Sequence, residues 1–211
     1  MTQTKLAHFI AIEGPDASGK SDVLVALKDR LSHRFGVDCF KTPSFDGPIG
    51  RLIRKAFDKK VTIEPHAMMH LFNADAIDQE AYMRAQLALG RHVLLDRHTR
   101  ISGCVYQLDW HPLHVLLNNL PLSLFKRVDA CVLLDAPAEV LAQRIRSRFK
   151  KQTDSLYTSD AIERIETIRQ RYRLAPDLHH DLVKQWLHFD TSDPNNTPEH
   201  IARTVAVALD L

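Results

Sequence analysis

The sequence predicts an α/β fold, a parallel sheet with helices on both faces, and three observations predict it. Short apolar runs recur along the chain; long stretches of helix-forming residues separate them; and the first run empties into a glycine-rich loop that opens a helix. Long helical connections between strands are what a parallel sheet requires, since a parallel pair cannot be joined by a tight turn.

Residues 8–13 form the first strand, which feeds the loop Gly14, Pro15, Asp16, Ala17, Ser18, Gly19, Lys20 and Ser21. A helix follows from Lys20 to about Arg34, with Val23, Leu24, Leu27 and Leu31 on one face and Gly36 as its stop. Residues 37–40 make a second strand, and the prolines from Pro43 to Pro48 demand a loop before a helix over 49–57. The stretch 64–89 is rich in helix formers and ends at Gly90. Val93, Leu94 and Leu95 form a third strand that delivers Asp96 and Arg97 to its carboxyl end, the edge where ligand groups converge in parallel sheets. Residues 130–134 and 186–189 supply two further strands, with helices in the arginine-rich region between them and after Pro198.

The 211 residues suffice for one domain, 1–211, within which 144–158 reads as a lid. Formal charge is +2, from 28 basic against 26 acidic side chains, so nothing recommends a nucleic acid partner. No apolar run is long enough to span a bilayer and the N-terminus lacks a secretory pattern, which makes a cytoplasmic setting the expectation, with no membrane partner. Cys39, Cys104 and Cys131 are too few and too scattered for a disulfide framework and read as buried thiols. The twelve histidines include no His-Glu-x-x-His spacing, so no structural zinc is expected.

The loop fits the Gly-x-x-x-x-Gly-Lys-Ser pattern in the context that gives it physical meaning, which makes the fold P-loop NTPase-like. Its glycines let backbone amides curve around phosphate, and the following helix adds its free amides and positive dipole end. Lys20 is expected to reach the β- and γ-phosphates of ATP, and Ser21 to hold Mg²⁺. The plain alternative, a flexible Gly/Ser loop with an exposed lysine, ignores the strand before it and the helix after it. Asp16, next to the triphosphate, either positions an acceptor or stabilises the turn. Asp96 can order water on Mg²⁺ and serve as its second site, while Arg97 can bind an acceptor phosphate; a surface ion pair is the bland reading of the two. Because Ala17 gives the loop no basic interior residue, counter-charge during transfer has to come from elsewhere. The run from Arg144 through Arg146 and Arg148 to Lys151 offers it, unless it merely solvates a helix.

The ordered set Ile12-Glu13-Gly14, Pro48-Ile49-Gly50, Leu71-Phe72 with Ala74-Asp75, Asp96-Arg97-His98, Tyr106-Gln107 and Leu134-Asp135 resembles the thymidylate kinase family of nucleoside monophosphate kinases over most of the chain. The resemblance implies that Phe72 stacks on the acceptor base, Arg97 binds its phosphate, Tyr106 lies beside the deoxyribose and Asp16 helps place sugar and phosphate. It further implies that Phe45 and Gly103 border the acceptor, that Arg144 packs on adenine with Thr191 approaching from the other side, and that Arg146 and Arg148 approach the phosphates. The chain departs from the family pattern at Ala76, where an arginine is usual, in Lys41-Thr42-Pro43-Ser44-Phe45, and in a segment 96–106 one residue longer than common.

The implied reaction is direct transfer from ATP, with Mg²⁺, to a deoxynucleoside monophosphate, dTMP first. Its alternatives are a kinase for another or modified pyrimidine nucleotide, a deoxynucleoside kinase using Glu13 or Asp96 as base, and a nucleotide-dependent switch without turnover. A homodimer is expected through the 64–89 helix, whose Met68, Leu71, Met83 and Leu87 offer more apolar surface than one sheet contact requires.

Overall fold

The computed structural model describes residues 7–107, 109–117, 124–148 and 159–211. Most of the expected lid, residues 149–158 with Lys151, lies outside the described residues. Five strands, β1 (Phe9–Glu13), β2 (Val37–Lys41), β3 (His92–Asp96), β4 (Val128–Asp135) and β5 (Val183–Asp190), form one parallel sheet in the order β2-β3-β1-β4-β5. The order reverses at β1, so the crevice that parallel sheets open at such a switch point falls where β1 runs into the glycine-rich loop.

Helices α1 (Lys20–Ser32) and α8 (Pro198–Ala208) cover one face. There Ile10, Ile12, Leu94, Val132 and Leu134 meet Val23, Leu27, Leu31, Ile201 and Val205. The alternate residues Phe9, Ala11, Val93, Leu95, Cys131 and Leu133 point the other way, into α3 (Pro65–Ala88), α4 (Thr99–Tyr106) and α7 (Ser159–Leu178). Residues of β1 and β3 are buried throughout, as the continuous apolar runs demand. The remaining helices are α2 (Gly47–Phe57), α5 (Pro112–Leu117) and α6 (Ala138–Arg148).

Local chemistry sets the ends of α3. Glu64 accepts hydrogen bonds from the amides of His66 and Ala67 at 2.9 and 3.2 Å, Pro65 takes the first helical position, and Gly90 leaves the helix at φ 74°. Along this helix Met83 is buried in the sheet-facing core and Leu87 packs against the same core, so neither belongs to a spare apolar surface. Ala76 is also buried there, facing the sheet. One cysteine departs from expectation: Cys104 and Cys131 are buried, but Cys39 is exposed because β2 is an edge strand with no neighbour on its outer side.

Candidate active site

A cavity of about 650 Å³ opens at the carboxyl ends of β1 and β3. Asp16, Ala17, Gly19, Lys20 and Ser21 line one wall, Lys41, Asp96 and Arg97 another, and Arg144, Ile145 and Arg148 a third.

Backbone geometry explains the loop. Gly14 sits at φ 141°, and a Cβ there would lie 2.1 Å from the Leu134 carbonyl oxygen and 2.8 Å from Ser18 Oγ, so β4 can approach only a glycine. Ala17 adopts φ 63° and Gly19 φ 91° before α1 begins. The buried Lys20 ammonium donates to the carbonyls of Gly14 and Pro15 at 2.9 and 2.7 Å. Burial, and then the charge of Arg97, lower its pKa to about 7, against the opposing pull of Asp16, Asp96 and Glu13.

Arg97 leaves β3 with φ 71°, a left-handed conformation rare for an arginine. Its Nη2 donates to Asp16 Oδ1 at 2.6 Å and to Tyr106 Oη at 2.9 Å, and its Nη1 donates to Tyr172 Oη at 2.9 Å. Burial works against its charge, but the hydroxyls of Tyr172 and Tyr106 and the carboxylates of Asp16 and Glu13 outweigh it and hold the pKa well above the ordinary value. Behind Arg97, Glu13 is fully buried and accepts from the His98 amide at 2.5 Å, Ser102 Oγ at 3.0 Å and Tyr172 Oη at 2.9 Å. Burial raises its pKa, and the Arg97 charge leads the effects that oppose this. Asp96 pairs with Lys41 at 3.0 Å through Oδ2, while its Oδ1 is buried without a hydrogen-bond partner.

On the acceptor side expected from the sequence, Phe45 at φ 58° packs on Phe57 with centroids 5.7 Å apart, and Phe57 on Phe72 at 6.1 Å. Arg54 stacks 4.9 Å from the Phe45 centroid. Asp75 holds this loop to α3 by accepting from the Ser44 amide at 2.7 Å and Ser44 Oγ at 2.6 Å. Gly103 lies within α4, where a Cβ would meet nothing within 4 Å.

The donor side is organised by Arg144, which donates to the Thr191 carbonyl at 2.6 Å, to Thr191 Oγ1 at 2.9 Å and to the Ala17 carbonyl at 3.4 Å. Thr191 in turn is fixed by its amide, which donates to the Asp135 carbonyl at 2.8 Å. Arg144 and Arg148, four residues apart on α6, both reach the cavity. Arg146, half a helical turn from these two, is exposed and does not line this cavity.

The structure therefore joins Asp16, the loop, Lys20, Ser21, Asp96, Arg97, Arg144 and Arg148 in one cavity, with Thr191 and Tyr106 bonded to its arginines. Phe45 and Phe72 flank Phe57 in a neighbouring aromatic group. Lys41 and Tyr172 are the site residues that the sequence reading misses. Lys41 carried a weak signal as a charge at the end of a strand, whereas Tyr172 is one aromatic among many on an amphipathic helix. Among the described residues no group of three or more His, Cys, Asp or Glu is placed to hold a metal ion, and no helix is long and apolar enough to cross a membrane.

Residues 12–196 match the family model described as thymidylate kinase. The thymidylate kinase of Schizosaccharomyces pombe is 25% identical over 206 residues, covering 95% of this chain and 90% of its own. That of Caenorhabditis elegans is 29% identical over 153 residues, covering 68% and 69%. The fold matches the solved structure of thymidylate kinase from Candida albicans with a TM-score of 0.71 at 20% identity, across 97% of this chain and 91% of that one.

Proposed function

The chain belongs to the thymidylate kinase family, and from that membership we propose that it transfers the γ-phosphoryl group of ATP directly to thymidine monophosphate, giving ADP and the diphosphate. The observation that carries this reading is the single cavity in which the phosphate-loop lysine, Lys20, faces Arg97 at the end of β3, with Asp16 hydrogen-bonded to the arginine between them.

An acceptor phosphate brings an oxygen that is already negative, so the reaction needs positioning and counter-charge rather than a strong base. Arg97 binds that phosphate, and Asp16 orients the arginine and the sugar side of the acceptor. Lys20 moves from the loop carbonyls to the β- and γ-phosphates, where it neutralises charge that spreads over the transferring group. Arg144 and Arg148 add positive charge from α6, with Arg144 and Thr191 bordering the adenine. A deoxynucleoside acceptor would require a free carboxylate base. Glu13 is enclosed by three donors, and the Arg97 guanidinium in the cavity suits an acceptor phosphate, which favours the monophosphate over that alternative.

Mg²⁺ fits this site. Ser21 and Asp96 both line the cavity, and Asp96 Oδ1 is a buried carboxylate oxygen without a partner. Two such groups suit an ion held chiefly by donor phosphates and water. Held by Ser21 and Asp96, Mg²⁺ would supply positive charge that offsets the negative charge of the phosphates. A cytoplasmic setting, without nucleic acid or membrane partners, goes with free nucleotides as substrates and a net charge of only +2.

A homodimer belongs to the same reading. Met68 and Leu71 are half-buried on α3, while Tyr82 and Leu89, on and just after it, are 65% and 73% exposed.

The test is ADP formation measured with each common nucleoside monophosphate and nucleoside at equal ATP and Mg²⁺. Thymidine monophosphate is expected to give the highest acceptor-dependent rate and thymidine none. Hydrolysis independent of every acceptor, or faster turnover of a nucleoside, would overturn the reading.

A further inference from the structure

Among the described residues, helix α7 contributes nothing to the walls of the main cavity yet is bonded to both of its sides. Three residues within four positions of this helix reach different parts of the site. Arg169 makes a two-pronged contact with Asp135, Nε to Oδ1 at 2.8 Å and Nη2 to Oδ2 at 2.9 Å, and Asp135 is the residue whose carbonyl fixes Thr191. Arg171 donates to the Gln107 carbonyl at 2.7 Å, closing the end of the helix that carries Tyr106. Tyr172, 2% exposed, lies between Glu13 and Arg97.

The third contact is the one with a chemical consequence. A guanidinium offers five N–H donors in a rigid fork, and the direction of that fork decides whether it meets a phosphate squarely. Of the other two bonds at Arg97, one goes to Asp16, a cavity group 70% exposed at its side chain that acceptor binding can rearrange, and one to Tyr106, half-buried at the end of α4. The bond to Tyr172 comes from behind, through a hydroxyl whose own proton is committed to the fully buried Glu13. The Glu13 carboxylate is itself fixed by the His98 amide and Ser102 Oγ, both at the start of the chain segment that follows Arg97. A buried phenol with one acceptor and one donor already satisfied has a single orientation available.

We propose that Tyr172 is a positioning residue: relaying between Glu13 and Arg97, it holds the arginine's fork toward the acceptor phosphate against the strain of its left-handed backbone. The kinetic part of this inference rests on the acceptor being a monophosphate; the orientation of Arg97 does not. Burial keeps the Tyr172 phenol protonated far above neutral pH, so the relay persists across the working range.

Tyr172→Phe removes the hydroxyl and keeps the ring in the core. Guanidinium NMR of ligand-free protein is expected to show separate Arg97 Nη1 proton resonances in the native chain and an averaged pair in Tyr172→Phe, because the bond from Cζ to Nη1 is released to rotate while Nη2 stays bonded to Asp16 and Tyr106. In the kinase assay the same substitution is expected to lower kcat/KM for the monophosphate roughly 10- to 100-fold, the scale of a lost hydrogen bond to a charged group, with KM for ATP within about twofold. Placed in an Arg97→Ala background it is expected to change kcat/KM by less than about twofold, since a residue acting only through Arg97 has nothing left to position. Glu13→Gln, which leaves the tyrosine in place, is the second variant and is expected to weaken acceptor turnover in the same sense.

Unchanged, resolved Arg97 resonances in Tyr172→Phe would overturn the proposal whatever the acceptor proves to be. So would an equal loss in the two backgrounds or a matching rise in KM for ATP, either of which marks a merely structural tyrosine. A native chain inactive on every monophosphate would sink the functional reading alone, and the NMR comparison would still decide the role of Tyr172.

Discussion

At the scale of single residues, the site is built on groups kept in costly states. Lys20 is the clearest, since burial brings its pKa down to about 7. Below that pH it meets the triphosphate already charged; above it, the proton must be taken up on binding. ATP affinity is therefore expected to fall with rising pH between about 7.5 and 9, by at most about tenfold per unit. Calorimetry in two buffers of different ionisation enthalpy should register the proton uptake, and pH-independent affinity without uptake would remove Lys20 from this role. Lys20→Met is expected to reduce kcat by roughly 10²- to 10³-fold, as when other preorganised donors to developing charge are lost. Gly14→Ala is expected to cost at least ~1–2 kcal/mol from its backbone conformation alone. Its Cβ would also press on the Leu134 carbonyl, so a chemical-denaturation midpoint equal to that of the native chain would contradict the close packing of loop and β4.

At the scale of elements, α6 separates its arginines by face. Arg144→Met is expected to raise KM for ATP about tenfold, because it frees the Thr191 loop as well as removing a charge, and to leave KM for the acceptor nearly unchanged. Arg148→Ala should lower kcat, whereas Arg146→Ala should change neither constant by more than about twofold. Steady-state kinetics of the three variants check this ordering, and an Arg146 effect as large as that of Arg148 would show that the helix presents a different face during turnover. The ordering is not written in the run of basic residues itself, which reads as one patch until helical rotation is imposed on it.

Across the whole molecule, acid is the weak side of the fold. Burial leads the effects that depress three histidines: His92 to about 4, with His8 adding to it; His98 to about 3, with His179 and Arg100 adding; and His179 to about 4, with Arg100 adding. A histidine depressed on folding binds fewer protons in the native state than in the unfolded chain. Its stabilisation is complete above the unfolded value of 6.5 and is lost as pH falls toward 4. Urea midpoints are expected to drop steeply between pH 6.5 and 4. His179, whose ring nitrogens find no hydrogen-bond partner, is the informative substitution: His179→Leu should flatten the drop without destabilising the protein at pH 7. An unchanged acid profile would acquit it. At the same scale, sedimentation at low micromolar concentration is expected to give twice the mass of one chain. Charged substitutions at Met68 and Leu71 together should reduce it, and a fully active monomer would exclude the dimer.

What the sequence determined by itself was the order of the strands and the place of the glycine-rich loop, because both are local. An apolar run, a Gly-x-x-x-x-Gly-Lys-Ser spacing and a charged pair after a strand act through neighbours in the chain, and the structure places all of them close to the expected positions. Helices α4 and α5, only eight and six residues long, needed the body of the fold to be recognised. Only the tertiary structure could decide what each side chain faces across distances in the chain. It turned Met83, Leu87 and Ala76 toward the sheet, left Cys39 exposed on an edge, and set Arg146 on a different face from Arg144 and Arg148. It also brought Tyr172 to Glu13, 159 positions away, and to Arg97, 75 away. The physical reason is that a hydrogen bond or a buried contact depends on where the crossovers bring two segments together, and no local pattern encodes that meeting.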